Sequence, residues 1–435
     1  MMKKLLSVCL LLTILSYQSF GSGYQVLLQG NRTTGMGNLG VMMYSDASSM
    51  FFNPGAMGFM DHNSIQVGLN PIFASNSYWN SESENSNYTA NSDNPMGTPF
   101  HFYAVWGPDE GKLKFGLGAF TPFGSSVNWG NEWAGRDLLN ELSLKAIQIQ
   151  PTVSYKISDK LSIGAGLDIT IGSVNLMRTL LLDARDQGGY SEGSVTLDGS
   201  ATTAFGYNIG IFYKPSDNLD IGVSYRSKVD MEIEGGTAEF VVPSSLSAFF
   251  PKGNTFSASL PLPSVISAGL TYHISENFEI GAQFDWVGWS AYKALAFDFE
   301  TETPLLEDSS SPRNYEDSWV IHLGGEYRLE NNLQLRAGFY YDKTPVQDGY
   351  MTPETPDNDR LGLTGGIGYS LGDKFQFDLS FLYIHSAERE QSEAQAIAAG
   401  TLTLPTAEED GSRDVMLGTY KLSALIPGIS IAYKF

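Results

Sequence analysis

The sequence predicts an all-β fold, a transmembrane antiparallel β-barrel of about 14 strands with an N-terminal hatch, or plug, inside its lumen. Three observations carry this: an export leader, a two-residue hydrophobic period with alternating short and long connections, and one stretch that lacks the period.

The leader comes first. Lys3 and Lys4 precede an apolar run, Leu5 to Leu15, that is too short to cross a bilayer as a helix and has the length of a signal-peptide core. Small residues at Ser19 and Gly21 fit a cleavage pattern, so residues 1–21 are read as a signal peptide and the mature chain as starting at Ser22. Cys9 is the only cysteine and falls early in the apolar run, which argues against a lipoprotein and leaves no disulfide to form. No later apolar run reaches the roughly 20 residues of a transmembrane helix. A formal net charge of −22 argues against a nucleic-acid partner, which needs a basic footprint.

The alternation is the second observation. Leu161, Ile163, Ala165, Leu167, Ile169 and Ile171 share one face, opposite Ser162, Gly164, Gly166, Asp168, Thr170 and Gly172. The same reading gives strands near 62–73, 98–106, 113–122, 142–157, 161–176, 199–214, 218–233, 261–274, 277–299, 315–329, 332–344, 359–372, 374–386 and 416–435. Tight turns such as Ser158 to Lys160 and Gly372-Asp373 alternate with long links such as 177–198 and 234–260, as periplasmic turns and extracellular loops do in an outer-membrane barrel. Only a closed sheet can cross hydrocarbon, because an open edge would leave backbone groups unpaired. Ile429, Ile431, Tyr433 and Phe435 alternate to the last residue; the terminal Phe435 resembles the signal read by the barrel assembly machinery. Trp106, Trp129, Trp133, Trp286, Trp289 and Trp319 are candidates for the interfacial girdles, about half of them expected to serve.

Gly35 to Met60 is the third. It is rich in Gly and Met and has no strand period. A lumen wider than side chains can fill must hold water or a plug, so residues 22–61 are assigned to the hatch and 62–435 to the barrel. Asn53, Pro54, Gly55 and Ala56 are its expected anchor, Asn53 bonding its own backbone two residues on and Pro54 lacking an N–H; a plain helix-ending turn is the alternative.

Several residue strings resemble the FadL-type outer-membrane transporters of long-chain fatty acids, whose relatives carry toluene and other hydrocarbons. They are Gly23-Tyr24-Gln25-Val26, Asp46 to Met57, Tyr225-Arg226-Ser227, Leu335-Arg336-Ala337-Gly338, Asp342-Lys343-Thr344-Pro345-Val346 and Pro356-Asp357-Asn358-Asp359-Arg360. The resemblance implies a multi-pass barrel of the cell outer membrane that takes up hydrophobic compounds passively, most of all long-chain fatty acids. Substrate would land on an apolar outer groove, enter a pocket inside the barrel, and leave sideways through a kink in the wall when the hatch shifts. Burial at about 0.8 kcal/mol per methylene gives about 8 kcal/mol for ten of them, enough for roughly micromolar affinity. A charge partner then adds specificity. Two departures stand out: Gly55 is an extra glycine in the hatch, and Glu316-Asp317 stand where fatty-acid members carry a lysine.

For the ligand we single out Tyr24 and Val26 in the pocket, Leu138, Leu139, Leu142, Leu180 and Leu181 (with Leu182) in the outer groove, and Arg178 as the cation for a carboxylate. Segment 177–185 can equally be a strand that rises above the membrane, and Arg226, Arg336 and Arg360 can equally brace acidic wall or hatch groups. The expected partners are hydrophobic small molecules, outer-membrane lipid and lipopolysaccharide, with the chain a monomer and no cofactor or metal. His62, His101, His273, His322 and His385 show no metal spacing, and His62-Asn63-Ser64 make a geometrically poor triad because strand neighbours point to opposite faces; an enzyme is not expected. Glu300 with Glu302 and Glu408-Glu409-Asp410 can bind Ca²⁺ or simply be solvated. A surface barrel for adhesion or phage reception, neutral hydrocarbon uptake and a general porin stay open as alternatives.

Overall fold

The structure, a computed structural model, describes residues 23–80, 88–108, 111–184, 189–405 and 412–435. The leader, Ser22 and Glu408-Glu409-Asp410 lie outside the described residues.

Fourteen antiparallel strands form one ring: β1 Ser64–Leu69, β2 Phe100–Trp106, β3 Leu113–Asn128, β4 Glu141–Ser158, β5 Leu161–Ala184, β6 Ala204–Ser216, β7 Leu219–Arg226, β8 Val265–Ser275, β9 Phe278–Val287, β10 Ser318–Arg328, β11 Leu333–Asp342, β12 Arg360–Leu371, β13 Phe375–Ser386 and β14 Gly418–Lys434. Each pairs with its neighbour, and β1 closes on β14 with Ser64 opposite Lys434. The period-2 pattern sets the two surfaces. Ile65, Val67 and Leu69 face out from β1 while Ser64, Gln66 and Gly68 face in, and Ile163, Leu167 and Ile171 do the same on β5. An apolar exterior around a polar interior is the arrangement that hydrocarbon solvent selects.

The ring encloses the N-terminal segment. Its helix Asn31–Gly35 packs against β11, β12 and β13, and its 3₁₀ turn Ala56–Phe59 packs against β3 to β6 on the opposite side. Met50, Met57 and Met60 fill against Tyr103, Val105 and Phe120, and Leu39, Val41 and Met42 against Phe212. Methionine suits this irregular interface because it is unbranched and adaptable.

Several boundaries differ from the sequence reading. The first strand continues past a break at Asn70 to Ile72 as Phe73–Trp79, still paired with β14. The segment 218–233 is two strands: β7 stops at Arg226, and Val229–Val241 leaves the ring to pair with Gly189–Ser200 and Asn254–Leu262. The links 177–198 and 234–260 are therefore largely sheet. Val195, Leu197, Met231, Ile233 and Ala238 are buried there, and their mutual burial outweighs the turn-rich composition that suggested loops. The segment 277–299 breaks after Val287, and Ala294–Phe299 pairs with Ser309–Pro312. Of the six girdle candidates, Trp106, Trp286 and Trp319 face out, whereas Trp129, Trp133 and Trp289 are buried inside.

Candidate functional site

Among the described residues, the wall is incomplete where β2 and β3 part. The β2–β3 ladder begins at His101 opposite Phe120 and runs only toward Trp106 opposite Phe115. Beyond it, contact resumes where the Asp93 N–H donates to the Asn128 carbonyl at 2.8 Å. Between these points Asn94 to Pro99 and Thr121 to Val127 share no ladder. β3 is also bulged here: its register with β4 jumps from Phe120 opposite Gln148 to Phe123 opposite Ala146, so that Thr121 and Pro122 are unpaired. Proline has no N–H to give a ladder.

The N-terminus supplies the missing partner from inside. The Gly124 N–H donates to the Tyr24 carbonyl at 3.0 Å, the Val26 N–H to the Pro122 carbonyl at 2.9 Å, and Gln29 Nε2 to the Thr121 carbonyl at 3.0 Å. Gly23 is held at the other end. Its N–H donates to Asp357 Oδ2 at 2.8 Å, and its carbonyl accepts from Arg360 at 3.2 Å. Asp357 also pairs with Arg360 at 2.6 Å and accepts from Thr344 Oγ1 at 2.8 Å. Gly23 has a φ of +49°, and a Cβ there would lie 2.7 Å from the Trp289 ring, so both the backbone and the space demand glycine.

Two cavities flank this strap. The larger, about 500 Å³, is lined by Val26, Leu28, Leu382 and Ile426 inside the ring and by Phe100, Lys145 and Ile147 from its outward face; it therefore passes through the wall at the gap. The smaller, about 60 Å³, is apolar, lined by Tyr24, Leu142, Leu144, Leu176, Met231 and Leu260. Tyr24 caps it: its ring is buried edge-on to Trp289 at 4.8 Å, and its hydroxyl donates to the Pro261 carbonyl.

Arg313 and Glu354 stand at the end of the smaller cavity, paired at 2.5 Å with little exposure. Burial alone would lower the Arg313 pKa, but the Glu354 carboxylate more than offsets it and holds the guanidinium above its ordinary range. Arg178 lies one inward step beyond Leu176 on β5. It makes no ion pair among the described residues. Arg226 pairs with Asp168 at 2.6 Å and Arg336 with Glu326 at 2.7 Å, so these and Arg360 brace wall or N-terminal groups.

The structure gathers Tyr24, Val26 and Leu142 around the cavities. It does not assemble an outer groove from the other leucines. Residues 177–184 continue β5, so Leu180 and Leu182 turn inward while Leu181 is 50% exposed on the outer face. Leu139 is wholly buried, its carbonyl accepting from Trp133 Nε1 at 2.6 Å, and Leu138 packs beside it. Arg313 escaped the sequence reading, which looked for a cation at Glu316; the Ser-Pro-Arg-Asn string at 311–314 carries no periodic signal.

Deeper in the ring, Asn53 Nδ2 donates to the Val41 carbonyl at 2.8 Å and the Ile211 carbonyl at 3.0 Å, and Asn53 Oδ1 accepts from the Gly55 N–H at 2.9 Å. A Cβ on Gly55 would lie 2.7 Å from the Gly210 carbonyl oxygen, which accounts for the additional glycine. Ala56 is buried beside Phe212. On the side of the short turns, Arg32 reaches Glu326 at 3.0 Å and Glu279 at 3.4 Å over a polar cavity of about 510 Å³.

Asp359, beside the strap's anchor, accepts from the Thr344 N–H at 2.8 Å and from Tyr341. Burial pushes its carboxyl up to about 6, against the pull of these donors and Lys343. A raised carboxyl disfavours the charged fold, so the penalty is full above about pH 6 and gone below the ordinary carboxylate pKa of about 4. Asp359→Asn is expected to raise the barrel's unfolding temperature at pH 7.5 and leave it unchanged at pH 3.5. Equal shifts at both values would refute this.

The fold is shared with known proteins. In fold, the chain superposes on a Pseudomonas aeruginosa FadL homologue with a TM-score of 0.78 at 21% identity, over 96% of this chain and 100% of that one. It superposes on the Pseudomonas putida toluene transporter TodX with a TM-score of 0.69 at 18% identity, over 95% and 99%. The long-chain fatty acid transport protein of Escherichia coli K12 is 22% identical over 86% of this chain and 90% of its own length. Residues 12–435 match the family model described as outer membrane protein transport protein (OMPP1/FadL/TodX), and the chain belongs to that outer-membrane family.

Proposed function

We propose that the chain is a passive outer-membrane transporter of hydrophobic compounds, most of all long-chain fatty acids, and that residues 22–61 act as its hatch. The observation that carries this reading is the cavity passing through the wall where β2 and β3 part, with the Gly23 to Val26 strap lying across it. An apolar chain held near Tyr24 and Leu142 would leave sideways once the strap lets go, with no need to cross the rest of the enclosed N-terminal segment below. Arg178, one inward step from the Leu176 that lines the smaller cavity and without an ion pair among the described residues, supports a carboxylate head group. A second reading, neutral aromatic or alkane uptake, is favoured by the Arg313–Glu354 pair, whose charge is already neutralised. A role in adhesion or phage reception has no comparable observation behind it.

Uptake of radiolabelled oleate and of toluene by cells with this chain as their sole transporter of the kind tests the proposal. Faster uptake of oleate than in cells without the chain is expected. Unchanged uptake of both compounds would sink it, and ohmic conductance in planar bilayers would point to an open pore.

A further inference from the structure

We propose that Lys145 is a specificity residue at the sideways exit, receiving the carboxylate of a departing hydrophobic acid; this rests on the uptake reading above. Lys145 lies on the outward face of β4 and lines the larger cavity where it emerges through the wall. Two cations line that cavity. Arg360 is held by Asp357, whereas Lys145 is exposed and has no ion pair among the described residues.

The immediate neighbours of Lys145 on the wall are small and uncharged, and the carboxylates that line the same cavity, Asp342, Glu354 and Asp357, belong to other elements. Gly124 stands opposite it on β3 and Ser173 opposite it on β5, in exact register. A Cβ on Gly124 would meet only the Leu144 carbonyl oxygen, at 3.2 Å, so the wall beside the ammonium is bare backbone and small side chains. The rest of the lipid-facing surface nearby carries Ile147, Ile149 and Ile171. A lysine on that surface is tolerated only close to an interface, where its stem lies along apolar surface and its ammonium reaches polar groups. Placed at the lip of the gap, the ammonium meets the polar end of an amphiphile while its chain is still within the cavity. Lys145 then stands on the path of a departing carboxylate, and a neutral compound gains nothing from it.

The test compares initial uptake of oleate and oleyl alcohol, which share a chain and differ in the head group. Lys145→Glu is expected to slow oleate about tenfold, as reversal of a steering charge does, and to leave oleyl alcohol within about twofold. Lys145→Arg should keep the wild-type preference, and heat-modifiability on gels reports that each variant is folded. Equal loss for both compounds, or loss for neither, would overturn the proposal. So would a wild type that carries the alcohol but not the acid, an outcome that leaves the uptake reading standing; a wild type that carries neither would end that reading instead. Proteoliposomes made without lipopolysaccharide separate substrate carboxylate from lipid phosphate as the partner. A preference for oleate that persists there supports the assignment, and one that needs lipopolysaccharide refutes it.

Discussion

Asp357→Ala is expected to free the N-terminal strap while leaving the ring intact. Asp357 is buried, and its two oxygens hold Gly23 N–H, Thr344 Oγ1 and Arg360. Removing one member of a buried ion pair leaves the other charge desolvated and unmatched, which costs about 3–5 kcal/mol. The strand ladders do not depend on Asp357, so the chain can relieve the cost by releasing Gly23 and admitting water to Arg360. Maleimide labelling of Gln25→Cys reads this, because the sole native cysteine, Cys9, can be replaced by serine without touching the described residues. Labelling should quicken at least about tenfold in the double variant, since every 1.4 kcal/mol is a factor of ten. Asp357→Asn, which keeps an acceptor for Gly23 but loses the charge, should fall between. Equal labelling in all three backgrounds would show that the strap is held by its β3 hydrogen bonds alone.

The second large effect is expected at Glu326. Its carboxylate receives Arg32 from the N-terminal segment, Arg336 at 2.7 Å and Arg328 at 2.8 Å, and its side chain is 1% exposed. Glu326→Gln leaves three guanidinium groups to share Glu279 and Asp378, a loss of about 3–5 kcal/mol for a buried charge stripped of its partner. Arg32 is the one cation of the three that can move away, because it rides on the enclosed segment and the other two are fixed in β10 and β11. The expected result is faster hydrogen exchange over residues 31–52 and measurable current in planar bilayers. Arg32→Met should do less, since Glu326 keeps Arg328 and Arg336. Wild-type exchange and silence in Glu326→Gln would show that apolar packing of the methionines suffices to hold the segment.

Much of this architecture was legible because the solvent writes it into the chain. Hydrocarbon outside and polar groups inside force the alternation of Leu161 to Ile171, and the absence of that period marked Gly35 to Met60 as something other than wall. Asn53 with Gly55 was legible for a different reason: the bond between them spans two residues, and local chemistry needs no knowledge of the fold. The ends of β5 were harder. Leu180, Leu181 and Leu182 are three leucines in a row, so the inward and outward faces carry the same letter and the period vanishes although the strand continues. The candidate site was least legible where its partners are distant. Arg313 takes its meaning from Glu354 in another loop, and the gap beside Thr121-Pro122 exists only through what β2 fails to do. Neither is a property of any one stretch.

The closure of β1 on β14 also sets an order of events. Ser64 cannot find Lys434 until the whole chain has been delivered, yet the residues that fill the ring precede Ser64. They arrive first and are enclosed last. Wrapped on every side by hydrogen-bonded strands, with Asn31 bonded to Asn70 on one side of the seam and to Ser380 on the other, the segment is a ready template against which an unfinished sheet can gather. Biogenesis of this chain is therefore expected to resemble casting around a core, in which the filling shapes the vessel.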